Sequence, residues 1–195
     1  MVMGRPRKFD ADKALDQALN VFWRNGYEGT SLADLTAAMG INPPSLYAAF
    51  GNKEMLFRKA LDRYIQQRTE FWNEALAAPT ARGMVEHLLR ASADFLTEEC
   101  NPHGCMLVRG AMLCSEAEDA MQKELTARRA IGEVALRERL EVAKKDGEAP
   151  ADMQPAEFAR YIMTVLEGMS VRAAGGATRA ELHTVAEMTL KAWPE

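Results

Sequence analysis

The sequence has 195 residues, of which 48% are hydrophobic and 27% charged, which is typical of a globular chain with a sizeable core and one or two domains. No apolar run approaches the roughly 18 residues that a membrane span needs, and the opening MVMGRPRKFD lacks the apolar stretch of a signal peptide. We therefore expect a cytoplasmic protein without a membrane partner, and the odd number of cysteines, three, favours a reducing compartment over a disulfide framework.

Charge is distributed unevenly along the chain. The net charge of −4 and the pI near 5.5 exclude a wholly basic nucleic-acid binder, for which a pI above about 9 is usual. Several basic residues nevertheless stand in the first third of the chain: Arg5, Arg7, Lys8, Lys53, Arg58, Lys59 and Arg63. A polyanion would therefore meet the N-terminal part of the protein.

The residue pattern predicts an all-α fold, because alternating β-branched runs are absent and Ala, Leu, Met, Glu and Arg dominate. After a basic arm at residues 1–9, apolar residues at three- and four-residue steps predict a helix that Asp10 or Asp12 caps and that ends at Asn25-Gly26. The segment TSLADLTAAMG predicts a second helix, with Ser31 and Asp34 spaced as a capping box and with Gly40 at its end.

The next segment, INPPSLYAAFG, predicts a third helix of only about two turns. Asn42 is a good N-cap, Pro43 suits the first helical position, and Gly51 can adopt the positive φ that ends a helix. A tight link at Gly40-Ile41 makes helices two and three a helix-turn-helix unit, whose short second helix fits a major groove about 12 Å wide. The alternative is an ordinary corner in a helical core.

The stretch GYEGTSLADLTAAMGINPPSLYAAFGNKEMLFRKAL resembles the N-terminal region of the TetR/AcrR family of bacterial transcriptional regulators, and the likeness spans roughly residues 5–64. The resemblance implies nine or ten helices, an inducer pocket in the middle helices and a dimer built from the last two. It also implies a DNA-binding helix-turn-helix domain at residues 1–52, with the arm at 1–9. Residues 53–195 would be the ligand-binding and dimerisation domain, with the helix from residue 53 as linker.

The resemblance places Thr30, Ser31, Tyr47 and Lys53 at phosphates, and places the start of helix three, with Ala48, at the bases. Together with the arm, the residues expected at the DNA are Arg5, Arg7, Thr30, Ser31, Asn42, Pro43, Pro44, Ser45, Tyr47, Ala48 and Lys53. The chain departs from the commoner family pattern at Pro44 and Ala49. Base recognition should therefore depend on contact with thymine methyl groups, on Asn42 and on DNA shape.

From Lys53 a long helix should continue to the AAPTARG break and act as a rigid lever between the pocket and the DNA-binding head. The expected signal is a small, largely apolar inducer that binds between helices. Candidate pocket residues are Phe71, Trp72, Leu88, Phe95, Met106, Met112 and Met163, although such residues at helical spacing more often form the core.

The segment EECNPHGCMLVRGAMLCSE holds all three cysteines, Cys100, Cys105 and Cys114. Cys100 and Cys105 are candidate sensor thiols, and with His103 they could bind a metal, although the order C-x2-H-x-C is no strong zinc signature. Buried structural cysteines are a further possibility, and a small all-α thiol enzyme is a remote one. We expect no cofactor, no metal ion and no catalytic residues.

Near the C-terminus, two apolar stripes at helical spacing predict two helices separated by VRAAGGATR. With the family resemblance they imply a homodimer through the last two helices and hence a roughly palindromic operator on double-stranded DNA. The sequence therefore predicts a sequence-specific DNA-binding transcriptional regulator, a repressor that an inducer releases.

Overall fold

The computed structural model describes residues 9–113 and 119–194, and within these ranges the chain forms α-helices and no strands. The helices are α1 (Ala11–Asn25), α2 (Leu32–Met39), α3 (Pro43–Phe50), α4 (Lys53–Leu76), α5 (Ala81–Leu96), α6 (Met106–Leu113), α7 (Asp119–Lys145), α8 (Pro155–Ala174) and α9 (Arg179–Lys191). The predicted all-α fold is confirmed. None of the described helices combines the length and the apolar character needed to cross a bilayer.

The first three helices begin and end where their capping residues predict. Asp10, rather than Asp12, caps α1 and accepts hydrogen bonds from the backbone N–H groups of Asp12 and Lys13. Ser31 and Asp34 form the predicted capping box of α2, which ends at Gly40 in the left-handed conformation with φ 65°. Because Gly40 turns the chain so tightly, α3 begins only three residues later.

Aromatic rings join α1 to α4. The rings of Phe22 and Phe57 meet edge to face with centroids 5.0 Å apart, and those of Trp23 and Tyr64 do so at 4.7 Å. Arg63 of α4 also donates to both carboxylate oxygens of Asp16 in α1, at 2.9 and 3.2 Å. These contacts hold the first helix firmly against the start of the long fourth helix, within a hydrophobic core that continues into the C-terminal helices.

The two C-terminal helices form as predicted, but the break between them is shorter than VRAAGGATR. Residues 171–174 continue α8, because Val, Arg and Ala are compatible with a helix, and the chain turns only at Gly175 and Gly176. The two helices contact each other, while α8 packs mainly on α7 and α9 mainly on α5.

Candidate DNA-binding surface and ligand cavity

Helix α3 turns one face to the core and the other to solvent. Leu46 and Phe50 are buried, whereas Pro43, Pro44 and Ala48 are exposed. Tyr47 is 49% exposed, so its hydroxyl is available to a phosphate, and Ser45 and Ala49 are half-buried. The exposed face is therefore small and mostly apolar, as the sequence predicted for a short helix that enters a groove.

Two of the predicted DNA-contacting residues also cap helices. The Asn42 side-chain oxygen accepts a hydrogen bond from the Ser45 N–H at 2.9 Å, which leaves its amide NH2 group as the donor directed outward. The exposed Ser31 hydroxyl donates to Asp34 at 2.6 Å, and this bond lowers the pKa of the Asp34 carboxyl. Ser31 would have to redirect that hydroxyl to donate it to a phosphate.

Thr30 does not fit the phosphate role given to its side chain. It is only 1% exposed, and its hydroxyl donates to the Gly26 carbonyl oxygen at 2.7 Å, so it closes the α1–α2 turn instead. Arg5 and Arg7, in the N-terminal arm, lie outside the described residues.

Lys53 is the predicted phosphate-binding cation at the first position of α4. Its Nζ lies 4.3 Å from the centroid of the Tyr27 ring, which positions the ammonium group beside the helix-turn-helix unit. By contrast, Arg58 pairs with Glu54 and Glu124, and Arg63 pairs with Asp16. These two arginines, which contributed to the basic character of the first third of the chain, are engaged within the protein.

A cavity of about 260 Å³ lies between α4, α5, α6, α7 and α8. Four of the predicted pocket residues line it: Phe71, Trp72, Phe95 and Met163. Leu88 and Met106 are buried in the core and are not among the lining residues, and the side chain of Met112 lies outside the described part. Gly132 of α7 permits the close approach of Trp72, because a Cβ there would stand 2.9 Å from the indole ring.

The cavity also has polar groups that the sequence analysis did not identify, chiefly Arg68 of α4 and Ser92 of α5. Arg68 follows Tyr64 by four residues and precedes Phe71 by three, so helical spacing alone puts it on the aromatic face of α4. That spacing was the available signal. An arginine amid aromatic residues on a predicted pocket helix is a candidate for ligand binding.

The cysteines differ in their surroundings. Cys105 is buried at the cavity wall, with its sulfur 3.4 Å from the Arg68 guanidinium. Cys100 is exposed, and partial desolvation together with the nearby Glu98 carboxylate raises the pKa of its thiol above the usual value near 9. Within residues 9–113 and 119–194, no three His, Cys, Asp or Glu side chains are grouped to hold a metal ion, so the Cys100, His103, Cys105 site is not formed.

The loop before α6 connects the cavity to the DNA-binding head. The indole N–H of Trp23, in α1, donates to the Gly104 carbonyl oxygen at 3.1 Å. The neighbouring Cys105 N–H donates to the Ser170 hydroxyl of α8 at 2.7 Å. The Trp23 ring also stacks on Phe95 of the cavity wall, with centroids 6.0 Å apart. One loop therefore contacts the head, the cavity and α8.

A helix-turn-helix head that one continuous helix joins to a cavity among further helices defines a DNA-binding regulator that carries its own sensing domain. The comparisons with known proteins agree. Residues 14–60 match the family model described as bacterial regulatory proteins, tetR family. The chain is 36% identical to the HTH-type transcriptional repressor ComR of Escherichia coli (strain K12), over 98% of this chain and 92% of ComR.

Two further relatives extend the likeness to the whole chain. The HTH-type transcriptional repressor BdcR of the same strain is 30% identical over 96% of this chain and 90% of BdcR. The solved structure of a cysteine mutant of the TetR family regulator CifR, complexed with 26-bp double-strand operator DNA, is 44% identical. It covers 98% of this chain and 100% of that one, with a TM-score of 0.93.

The chain belongs to the tetR family of bacterial regulatory proteins. It is a sequence-specific DNA-binding transcriptional regulator and not an enzyme, as the sequence predicted. The alternative of an ordinary helical corner at residues 41–57 is therefore wrong.

Proposed function

We propose that this regulator is a cytoplasmic repressor that leaves its operator when a small, largely apolar molecule enters the cavity. The observation that carries the proposal is the continuity of α4, which begins at Lys53 beside the exposed face of α3 and reaches Phe71 and Trp72 in the cavity wall. The names of ComR and BdcR, both transcriptional repressors, support repression as the sign of regulation.

In this proposal residues 1–52 bind DNA and residues 53–195 bind the ligand and dimerise. Asn42, Pro43, Pro44, Ser45 and Ala48 face the bases. Tyr47, Lys53 and Ser31 hold phosphates, with Arg5 and Arg7 as further cations. Because α3 offers one amide and several apolar groups, sequence recognition depends on few hydrogen bonds and on DNA shape.

We infer a homodimer through α8 and α9, because both helices leave large apolar side chains in solvent. Tyr161 and Val171 of α8 are 40% and 46% exposed, and Val185 and Met188 of α9 are 38% and 59% exposed. A twofold dimer buries such side chains against their own copies and presents two copies of α3 to the two halves of a roughly palindromic operator.

Release requires that the ligand bind the conformer that has low DNA affinity more tightly than the other, since equal affinity would shift nothing. A molecule in the cavity contacts α4 and the wall around Phe95, on which Trp23 of the head stacks. We infer that displacement of these groups rotates the head and changes the spacing of the two reading helices.

The test is fluorescence anisotropy of the purified protein on DNA from upstream of its own gene, titrated with salt and with unrelated competitor DNA. Tight, competitor-resistant binding at two protomers per site, or a multiple of two, supports the proposal and provides the assay for inducers. Binding that no compound weakens would contradict release by a ligand.

A thiol-responsive regulator is the second candidate function, and the position of Cys105 favours it. Its sulfur lies at the cavity wall beside the Arg68 cation, which stabilises a thiolate electrostatically. Alkylation with iodoacetamide should then release DNA from the wild type and from Cys100→Ser, but not from Cys105→Ser. Equal release from Cys105→Ser would exclude this candidate.

A further inference from the structure

The cations that line the cavity differ in whether they have a counter-ion. Arg128 contacts Asp62 at 2.7 Å and Glu124 at 2.9 Å, and Arg129 lies 3.6 Å from Glu167. Arg68 has no carboxylate partner within the described part of the chain. Of the three arginines at this cavity, Arg68 is therefore the one whose charge the protein leaves uncompensated.

Arg68 is enclosed by aromatic rings rather than by water. Its guanidinium carbon lies 5.5 Å from the ring centroid of Tyr64, 5.9 Å from that of Phe71 and 6.0 Å from that of Phe95. Its Nε is buried and makes no hydrogen bond to any group that the structure describes. An enclosed cation with an unused donor is costly unless an anion satisfies it.

Ser92 provides a second, independent unsatisfied group. The residue is 4% exposed, and its hydroxyl has no hydrogen-bond partner within residues 9–113 and 119–194. It lines the same cavity as Arg68. Buried hydroxyls are nearly always hydrogen-bonded, so this one is explained by a polar atom of a bound molecule.

We propose that the natural ligand of this cavity is a small amphipathic monocarboxylate, whose carboxylate binds Arg68 and Ser92 while its apolar body lies against Trp72, Phe95 and Met163. The inference rests on the proposed function, since it names the chemical class of the inducer. The guanidinium fork suits a carboxylate, and its charge is stronger in an apolar enclosure than in water. The ligand is thus acidic as well as apolar.

The one internal group that could act as the counter-ion of Arg68 is the Cys105 thiol, at 3.4 Å. If a thiolate filled this role, the cavity would select neutral molecules, and removing Arg68 would not change the preference for acids. The two roles therefore predict opposite results for the same substitution.

The experiment is isothermal calorimetry of the full chain with hexanoate, octanoate, decanoate and 4-phenylbutanoate, each compared with its primary amide. We expect at least one acid to bind at least about 10-fold more tightly than its amide. Arg68→Gln, which keeps a long polar side chain without the charge, should lower the affinity for that acid about 10- to 100-fold and bring the ratio close to one.

Two further variants separate the role of Arg68 from a general effect of charge or packing. Arg129→Gln removes a cation of the same cavity that already has Glu167 as its partner, so the acid preference should persist. Ser92→Ala should weaken the acid several-fold and the amide less. An acid-to-amide ratio that is unchanged in Arg68→Gln, or no acid that binds more tightly than its amide, would overturn the proposal.

DNA anisotropy on the same samples distinguishes this inference from the proposed function. If an acid binds in an Arg68-dependent manner but leaves DNA binding intact, the ligand class stands and release by ligand fails. If neutral molecules release DNA while no acid binds preferentially, release stands and the monocarboxylate is wrong.

Discussion

Lys53 and the residues of α3 have different tasks at the DNA, and single substitutions can separate them. A lysine that grips a phosphate contributes a sequence-independent term, because its partner is the same at every base pair. Side chains that reach base edges contribute the sequence-dependent term. The exposed face of α3 and the ammonium group beside Tyr27 correspond to these two terms.

We expect Lys53→Ala to weaken binding to all DNA by a similar factor and to reduce the slope of log affinity against log salt by about 0.9, the value for one phosphate contact. Anisotropy titrations at four salt concentrations measure both quantities. Lys145→Ala, which removes one exposed charge at the end of α7, is the matched control and should leave the slope unchanged. An unchanged slope in Lys53→Ala would refute the phosphate contact.

At this scale the sequence predicted capping residues better than site residues. Asp10, Ser31, Asn42 and Asn52 all cap helices, because a cap depends on neighbours within three residues. Thr30 was wrong as a phosphate-contacting side chain, since its burial depends on the packing of the α1–α2 turn. Arg68 was missed for the same reason: its lack of a carboxylate partner depends on α5 and α7.

Helix α3 depends on Asn42 both for its start and for its base contact. We expect Asn42→Ala to lower the free energy of unfolding by about 1 kcal/mol, because the Ser45 N–H loses its acceptor. Asn42→Ser keeps a capping oxygen but has no amide group, so it should retain stability and still bind the operator more weakly. Urea denaturation and anisotropy measure the two effects, and equal losses of DNA binding and stability across both variants would contradict the dual role.

The contact between α1 and the loop before α6 should transmit ligand binding to the head. In Trp23→Phe the Gly104 carbonyl loses its indole donor, which should cost about 1–3 kcal/mol of stability. Ligand affinity should change little, whereas the ligand concentration needed for release should rise. Trp193→Phe, the same substitution beyond α9, is the control, and normal release by Trp23→Phe would exclude this contact from the coupling.

The order and bounds of the helices could largely be predicted, because helical periodicity and Gly, Pro and Asn punctuation are local properties. The VRAA residues were assigned to a loop because their link to α8 is marked by no strong helix former other than Ala and Arg. The cavity itself could be predicted only as a class of site. Leu88 and Met106 have the same composition and spacing as true lining residues and differ from them only in how five helices meet.

For the molecule as a whole, the exposed apolar side chains of α8 and α9 matter most for assembly. We expect Met188→Glu to place charges in the proposed interface, convert the dimer to monomers and abolish tight operator binding, with the fold intact because Met188 is 59% exposed. Light scattering after size exclusion and circular dichroism measure these outcomes. Val142→Glu, at a 50% exposed site on α7, should remain dimeric, and a dimeric Met188→Glu protein would place the interface elsewhere.

Helix α4 places Lys53 and Arg68 fifteen positions apart, about 22 Å along its axis at 1.5 Å per residue. At physiological ionic strength, solvent-exposed charges are screened over about 8 Å. The charge of a ligand at Arg68 therefore cannot repel the operator through solvent, and its effect on DNA must come from movement of the helix. Added salt should thus weaken operator binding with and without ligand by the same factor and leave the ratio of the two affinities constant.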